Sequence, residues 1–284
     1  MREALIKAYC QACEIELQAF KPGNVSVYSD GHDMTVEDFR ISLDVSSEPI
    51  TNPAYSVGEK IYYAVKATRD AVGCNTNLGI LLLSAPLLQA MQMRREGQSL
   101  RQSLQKVLVS TTIEDADWVF RAITLASPGG LGDSEQADVA EKPSVTLLEA
   151  MEIAQNKDRI AYQFTSCYKD IFEFTILMYN STLAKFGNFN WAALSVYAAL
   201  LSQYPDSHIE RKFGSQYSGW VSVKMQEVQQ ALAHTNEPES LLPLLHKVDQ
   251  EFKAKGINPG TSADITVATV LVLFLEQLVN REFC

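Results

Sequence analysis

The spacing of apolar residues constrains this chain more than any other feature. Leu5, Ala8, Ala12, Ile15 and Ala19 recur at intervals of three and four, the period of one helix face. The same period continues at roughly 56–70, 76–94, 98–109, 113–125, 144–155, 160–184, 190–204, 206–213, 217–233, 238–254 and 262–280. Alternating strand patterns are nearly absent. The punctuation agrees with helices: Pro22-Gly23 ends the first, Pro49 and Pro53 break the chain again, and Thr35 with Asp38 and Thr112 with Asp115 have the form of capping boxes. The expected fold is all-α, a single multi-helix domain over 1–284 of about a dozen helices. No repeat period is evident. The loop-like stretch 127–143, with Pro-Gly-Gly-Leu-Gly-Asp and then acidic residues, is the one candidate boundary. It reads as an active-site loop within one domain.

Composition narrows the function. Of 284 residues 46% are apolar, enough for a full core without metals or disulfides. A net charge of −10, from 34 acidic and 24 basic residues, argues against a nucleic-acid binder. It leaves room for a small anionic ligand held by a local basic cluster. The five cysteines show no framework spacing. Cys10 and Cys13 read as two small helix residues, without a second pair to make a zinc site. Reduced thiols point to the cytoplasm. Charges through Met1–Lys7 are unlike a signal peptide, and no apolar run approaches the roughly 20 residues that span a bilayer.

Short polar segments stand where helices should begin or end. Lys21-Pro-Gly-Asn24 precedes Asp30-Gly-His32-Asp33. A lysine beside Pro-Gly can reach a phosphate, and Gly23 lets a ligand approach the backbone. His32 and Asp33 suit metal coordination or proton transfer, and a solvated turn explains them equally well. Asn75, Thr76 and Asn77 enter a very apolar helix and supply more polar groups than one cap requires. Gly129-Gly-Leu-Gly132-Asp133 lacks the phosphate-loop spacing. Asp158-Arg159 opens a helix with Gln163 one turn on. Asp206, His208, Arg211 and Lys212 crowd into two turns ending at Gly214, more ionisable types than a short structural helix needs. Asn258-Pro-Gly260-Thr261-Ser262-Ala-Asp264 precedes the apolar Ile265–Phe274 and suits an anion at a helix N-terminus. Asp264 there is either a dipole-compatible residue or a magnesium ligand.

Taken in order, Lys-Pro-Gly-Asn, Gly-x-Asn-Thr, Asp-Arg-Ile-Ala and Asn-Pro-Gly-Thr-Ser-Ala-Asp make a chain that resembles the triphosphoribosyl-dephospho-CoA synthase family, from about Cys13 to Leu275. The resemblance implies an all-helical enzyme. It implies transfer of the triphosphoribosyl unit of ATP to the 2′-hydroxyl of dephospho-CoA, with release of adenine. Under it, Lys21, Arg159, Arg211 and Lys212 would neutralise phosphates. Asp33, Asp206 and Asp264 would serve magnesium or act as base, with His208 a further catalytic candidate. Gly23, Asn24, Asn75, Thr76, Asn77, Gln163, Gly260, Thr261 and Ser262 would contact substrate. Asp33 and Asp264 would hold Mg2+ arriving with ATP. The expected partners are a small-molecule nucleotide and an acceptor, with no nucleic acid and no membrane; a homo-oligomer is compatible with this.

The chain departs from the family pattern in one place that matters. Asn-Thr-His-Lys-Gly is the usual family sequence, and Asn77-Leu78 stands where His-Lys is expected. The segment from Asp206 to Lys212 resembles a divergent branch found beside genes for methanopterin- or methanofuran-type one-carbon carriers. The scaffold is then kept while the acceptor, or the reaction, differs. Two other readings stay open: a metal-dependent phosphohydrolase built on His32-Asp33, which lacks the upstream histidine of that class, and a non-catalytic helical partner in a cofactor pathway.

Overall fold

The computed structural model describes residues 1–29, 34–126 and 141–281. Fourteen α-helices are present among them: α1 (Arg2–Gln18), α2 (Val36–Ile50), α3 (Val57–Val72), α4 (Leu78–Met93), α5 (Leu100–Val109), α6 (Ile113–Ala126), α7 (Leu147–Ala154), α8 (Arg159–Thr165), α9 (Ile176–Phe186), α10 (Phe189–Gln203), α11 (Ser207–Phe213), α12 (Ser218–His234), α13 (Leu242–Ala254) and α14 (Gly260–Arg281). The only strand-like pairing among the described residues is the isolated bridge Ser26–Ser29. The architecture is the all-α domain that the apolar period requires.

Local chemistry explains where the helices begin. Thr35 and Asp38 exchange both capping-box hydrogen bonds, and Asp115 does the same with Thr112. Ser56–Glu59, Ser99–Gln102 and Thr146–Glu149 add three more such boxes. Each satisfies backbone donors that the first helical turn leaves unpaired.

The apolar faces then dictate the packing. α4 is buried nearly all round, from Leu78 to Met91, and sits against α5, α14 and α3. α14 also packs on α1 and α10. By length and composition α14 could cross a membrane, which corrects the expectation that no run approaches that length; 67% of its apolar window lies inside the protein. A polar Asp264 near its start and Glu276 near its end hide this run in a simple reading of the sequence. A second apolar cluster joins Tyr197 of α10 to Val221 and Met225 of α12 and Phe252 of α13.

One expected helix is two. The period over 160–184 is interrupted after α8, where Cys167 and Tyr168 take φ of 50° and 55°. A π-helical turn, Ile171–Thr175, then leads into α9. Neither residue is glycine, so each left-handed backbone costs on the order of 1–3 kcal/mol. Tertiary contacts hold it: Tyr168 is fully buried and its hydroxyl donates to the Leu83 carbonyl at 2.8 Å. No glycine or proline announces this break.

Candidate active site

The first turns of α4, α8, α11 and α14 border one cleft of about 340 Å³. Asn24, Asn75, Thr76, Asn77, Gly79, Asp158, His208, Arg211, Asn258, Gly260 and Asp264 all line it. These residues come from segments spread over more than two hundred positions, yet they meet at one place. The reason is topological: α4 and α14 are the two central helices, and each starts at this end.

The short helices are fixed by carboxylates. Asp158 Oδ1 accepts from the Ile160 and Ala161 amides at 2.8 and 3.2 Å, while its Oδ2 accepts from Arg211 Nη1 at 2.7 Å. Arg211 Nε is buried without a hydrogen-bond partner among the described residues. The guanidinium therefore lines the cleft with donor capacity to spare. Asn24 donates to Asn258 Oδ1 at 2.8 Å, tying the first polar segment to the last.

Asp264 is a strongly perturbed carboxyl in the cleft. Its carboxylate accepts no hydrogen bond among the described residues, and a Cβ on Gly79 would overlap it. Burial, followed by repulsion from Glu16, Asp206 and Asp158, pushes its carboxyl well above the usual range; Arg211 opposes this. His208 packs against Gly260, where an added Cβ would lie 2.7 Å from Nδ1. Burial holds its imidazole below the ordinary histidine range, and Arg211 and Lys212 add to that effect against Asp206. His208 is thus a neutral imidazole in the cleft near physiological pH.

Other expected site residues do not line the cleft. Lys21 is fully buried, pairs with Glu16 at 3.0 Å and donates to the Val25 carbonyl at 2.6 Å. Its ammonium is consumed inside the protein rather than turned to a phosphate. Arg159 makes a two-pronged pair with Asp170, both bonds at 2.8 Å, and its guanidinium centre sits 3.7 Å from the Tyr204 ring centroid. Gln163 donates to the same Asp170 at 2.6 Å. Lys212 points outward and donates to the Gly256 carbonyl at 3.2 Å. Asp206 caps its own helix through His208 and Ile209, and its other oxygen accepts from the Ser262 amide and hydroxyl at 2.8 and 2.7 Å. With both oxygens occupied it joins α11 to α14 and has no reach into the cleft. Gly23, at φ 83°, serves a turn whose amide donates to Asp249 at 2.8 Å. Thr261 is buried and its hydroxyl has no hydrogen-bond partner among the described residues. Asp33 and His32 lie outside the described residues, as does the loop 127–140.

Thr76 and Asn77 line the cleft but are also structural. Thr76 donates to Ser42 at 2.6 Å, and Asn77 donates to Thr68 at 3.1 Å. Glu16 is an ionisable cleft residue that the motif reading missed. The signal was present: it falls four residues after Ala12 and three after Cys13 on the buried face of α1, where a charge is costly unless used. Burial pushes its carboxyl up against the pull of Lys21.

No group of three His, Cys, Asp or Glu side chains converges as a metal cage among the described residues. The donor set fits only a cation that brings its own ligands, such as magnesium on phosphates, with one or two carboxylates from the protein. Asp264 is the free carboxylate that could meet it.

Comparison with known proteins agrees with this arrangement. The family model for ATP:dephospho-CoA triphosphoribosyl transferase matches residues 2–283. The chain belongs to that family. The transferase shares its fold with a crystal structure from Archaeoglobus fulgidus described as a triphosphoribosyl-dephospho-CoA synthase: 22% identity, 84% of this chain and 95% of that one covered, TM-score 0.58. A search of curated proteins finds no match. As a family member the transferase is an enzyme of group transfer in cofactor biosynthesis. Leu78, at the start of α4, is part of the cleft lining.

Proposed function

We propose that this protein transfers a triphosphoribosyl or similar phosphoribosyl group from ATP, or a related nucleotide, to a small-molecule acceptor, releasing the base. The observation that carries it is the convergence of Asn24, Asn75–Gly79, Asp158, Arg211, Asn258 and Asp264 on one cleft. In the reaction the acceptor oxygen forms a bond to the ribose anomeric carbon. The bond from that carbon to the adenine nitrogen breaks, and its electron pair leaves with adenine. The acceptor hydroxyl loses a proton and the departing base gains one, so the step balances.

The residues suit those demands. Helix starts at α4 and α14 place positive dipole ends beside the cleft, which favours phosphate oxygens. Arg211 offers spare guanidinium donors to the same oxygens. His208, neutral, has a ring nitrogen able to take the hydroxyl proton. Mg2+ bound with the nucleotide would neutralise phosphate charge; Asp264 would hold it, and the family resemblance adds Asp33 as a second ligand. An oxocarbenium-like transition state needs clamping and charge placement more than covalent help.

The alternative is a step in one-carbon carrier biosynthesis of the methanopterin or methanofuran type, supported by the likeness of Asp206–Lys212 to that branch. The test is incubation with ATP, magnesium, dephospho-CoA and pterin or furan precursors, with adenine measured by chromatography. Adenine release with one acceptor is expected. Intact ATP across the panel, with no heat of nucleotide binding, sinks the reading and leaves the non-catalytic partner in its place.

A further inference from the structure

Glu16 brings to the cleft wall a carboxylate oxygen that its buried partner does not consume. The residue is 4% exposed and lines the cleft. Lys21 Nζ holds its Oε1 at 3.0 Å, and no hydrogen bond reaches its Oε2 among the described residues. Asn77 is in a similar state. Its amide nitrogen donates to Thr68 Oγ1 at 3.1 Å and to Ser46 Oγ at 3.5 Å. Nothing donates to its Oδ1 among the described residues. Glu16, Phe39, Asn77 and Ile80 line the cleft and also ring a side recess of about 20 Å³, so the four are close neighbours.

The chemistry of this corner is selective. Its four side chains present two acceptor atoms, no spare donor, an aromatic ring and an aliphatic chain. Phosphate oxygens are acceptors of the same charge as Glu16, so the corner repels them. A neutral planar ring carrying an amino group fits instead. Its face covers Phe39 and Ile80, and its two N–H donors meet the two acceptors. A ligand without donors would leave Glu16 Oε2 desolvated and unpaired, which costs free energy.

We propose that Glu16 and Asn77 form the subsite for the adenine ring of a substrate nucleotide, with Glu16 Oε2 accepting from the 6-amino group. This rests on the nucleotide reading above and adds the residue that selects the base. Hypoxanthine carries an oxygen in place of the amino group, so it would set an acceptor against an acceptor. Lys21 is the positioning residue: by holding Oε1 it leaves Oε2 as the oxygen for the ligand. Two substrates of the family carry this ring, ATP and dephospho-CoA, and titration separates them.

The experiment is calorimetry on the full chain with magnesium present, using two ligand pairs: ATP with inosine triphosphate, and dephospho-CoA with its deaminated, hypoxanthine-bearing counterpart. In one pair the amino form should bind the wild type about tenfold more tightly, the worth of one hydrogen bond to a charged group. That pair names the source of the ring. In Glu16→Gln the amide oxygen still accepts from Lys21, so the NH2 faces the ligand as a donor. The preference within that pair should then invert. A purely structural Glu16 would instead weaken both members of a pair by one factor, and that result in the folded variant overturns the proposal. So does a wild type that discriminates in neither pair. Should Glu16→Gln unfold, the double variant with Lys21→Met takes its place and should lose the discrimination; retained discrimination overturns the proposal too. Adenine release is measured separately with ATP and dephospho-CoA together. Its absence beside intact discrimination ends the transfer reading and leaves the subsite standing.

Discussion

Gly79 and Asp264 are locked together: the glycine's missing side chain is the space that the aspartate's carboxylate occupies. Gly79 has an ordinary helical position in the first turn of α4, so its role is room rather than backbone freedom. Two helices that begin 182 positions apart, at Leu78 and Gly260, approach closely enough only because of it. Gly79→Ala should cost about 1–3 kcal/mol, the usual range for overpacking, and weaken nucleotide binding. Urea unfolding checks the first and calorimetry the second. In an Asp264→Ala background the same substitution should lose most of its stability cost. An unchanged cost in that background would show that Asp264 is not the obstacle.

Asp206 should matter to stability far more than to chemistry. It caps α11 and satisfies the Ser262 amide and hydroxyl while 3% exposed. Asp206→Ala removes a cap worth about 1 kcal/mol and leaves buried donors unpaired at about 1–3 kcal/mol. A total loss of roughly 2–4 kcal/mol is expected by chemical denaturation, with the kcat of the remaining folded fraction reduced far less than by Arg211→Ala.

The raised carboxyl of Asp264 has a signed consequence for pH. A carboxyl with its folded pKa above its unfolded one contributes stability at low pH and loses it as pH rises through the folded value. Asp264→Asn should therefore be more stable than the wild type at neutral and alkaline pH. The gap should close as pH falls into the ordinary carboxylate range. Melting temperatures of the two proteins across that range measure it; a gap that widens on acidification contradicts the assignment.

Lys21 and Glu16 form a buried pair, with side chains 0% and 5% exposed. Removing one partner strands the other, so Lys21→Met should cost about 3–5 kcal/mol. The double variant Lys21→Met with Glu16→Gln should recover most of that. A double-mutant cycle by denaturation gives the coupling directly. Near-additive losses would mean that the two charges act independently.

Much of the fold was legible because helix signals are local. The three-four period over 262–280 and the capping boxes at Thr35 and Thr112 need no knowledge of distant residues. The break at Cys167-Tyr168 was not legible, because its cause is the contact of Tyr168 with Leu83, a contact between positions 85 apart. Within the site, the polar motifs marked Asn24, Asn75, His208, Arg211, Asn258 and Asp264 as neighbours of one cleft. The same motifs include Lys21, Arg159, Gln163, Lys212 and Asp206, whose side chains turn to Glu16, Asp170, Gly256 and Ser262.

The sequence by itself determined an all-helical chain whose helices begin at polar, anion-friendly segments, since period and capping are set by residues within one turn of each other. Tertiary structure alone decided which charges stay available. A buried lysine or arginine must find a partner, and whether that partner is an internal carboxylate or a ligand depends on which helices meet, as Lys21 with Glu16 and Arg211 at the cleft show.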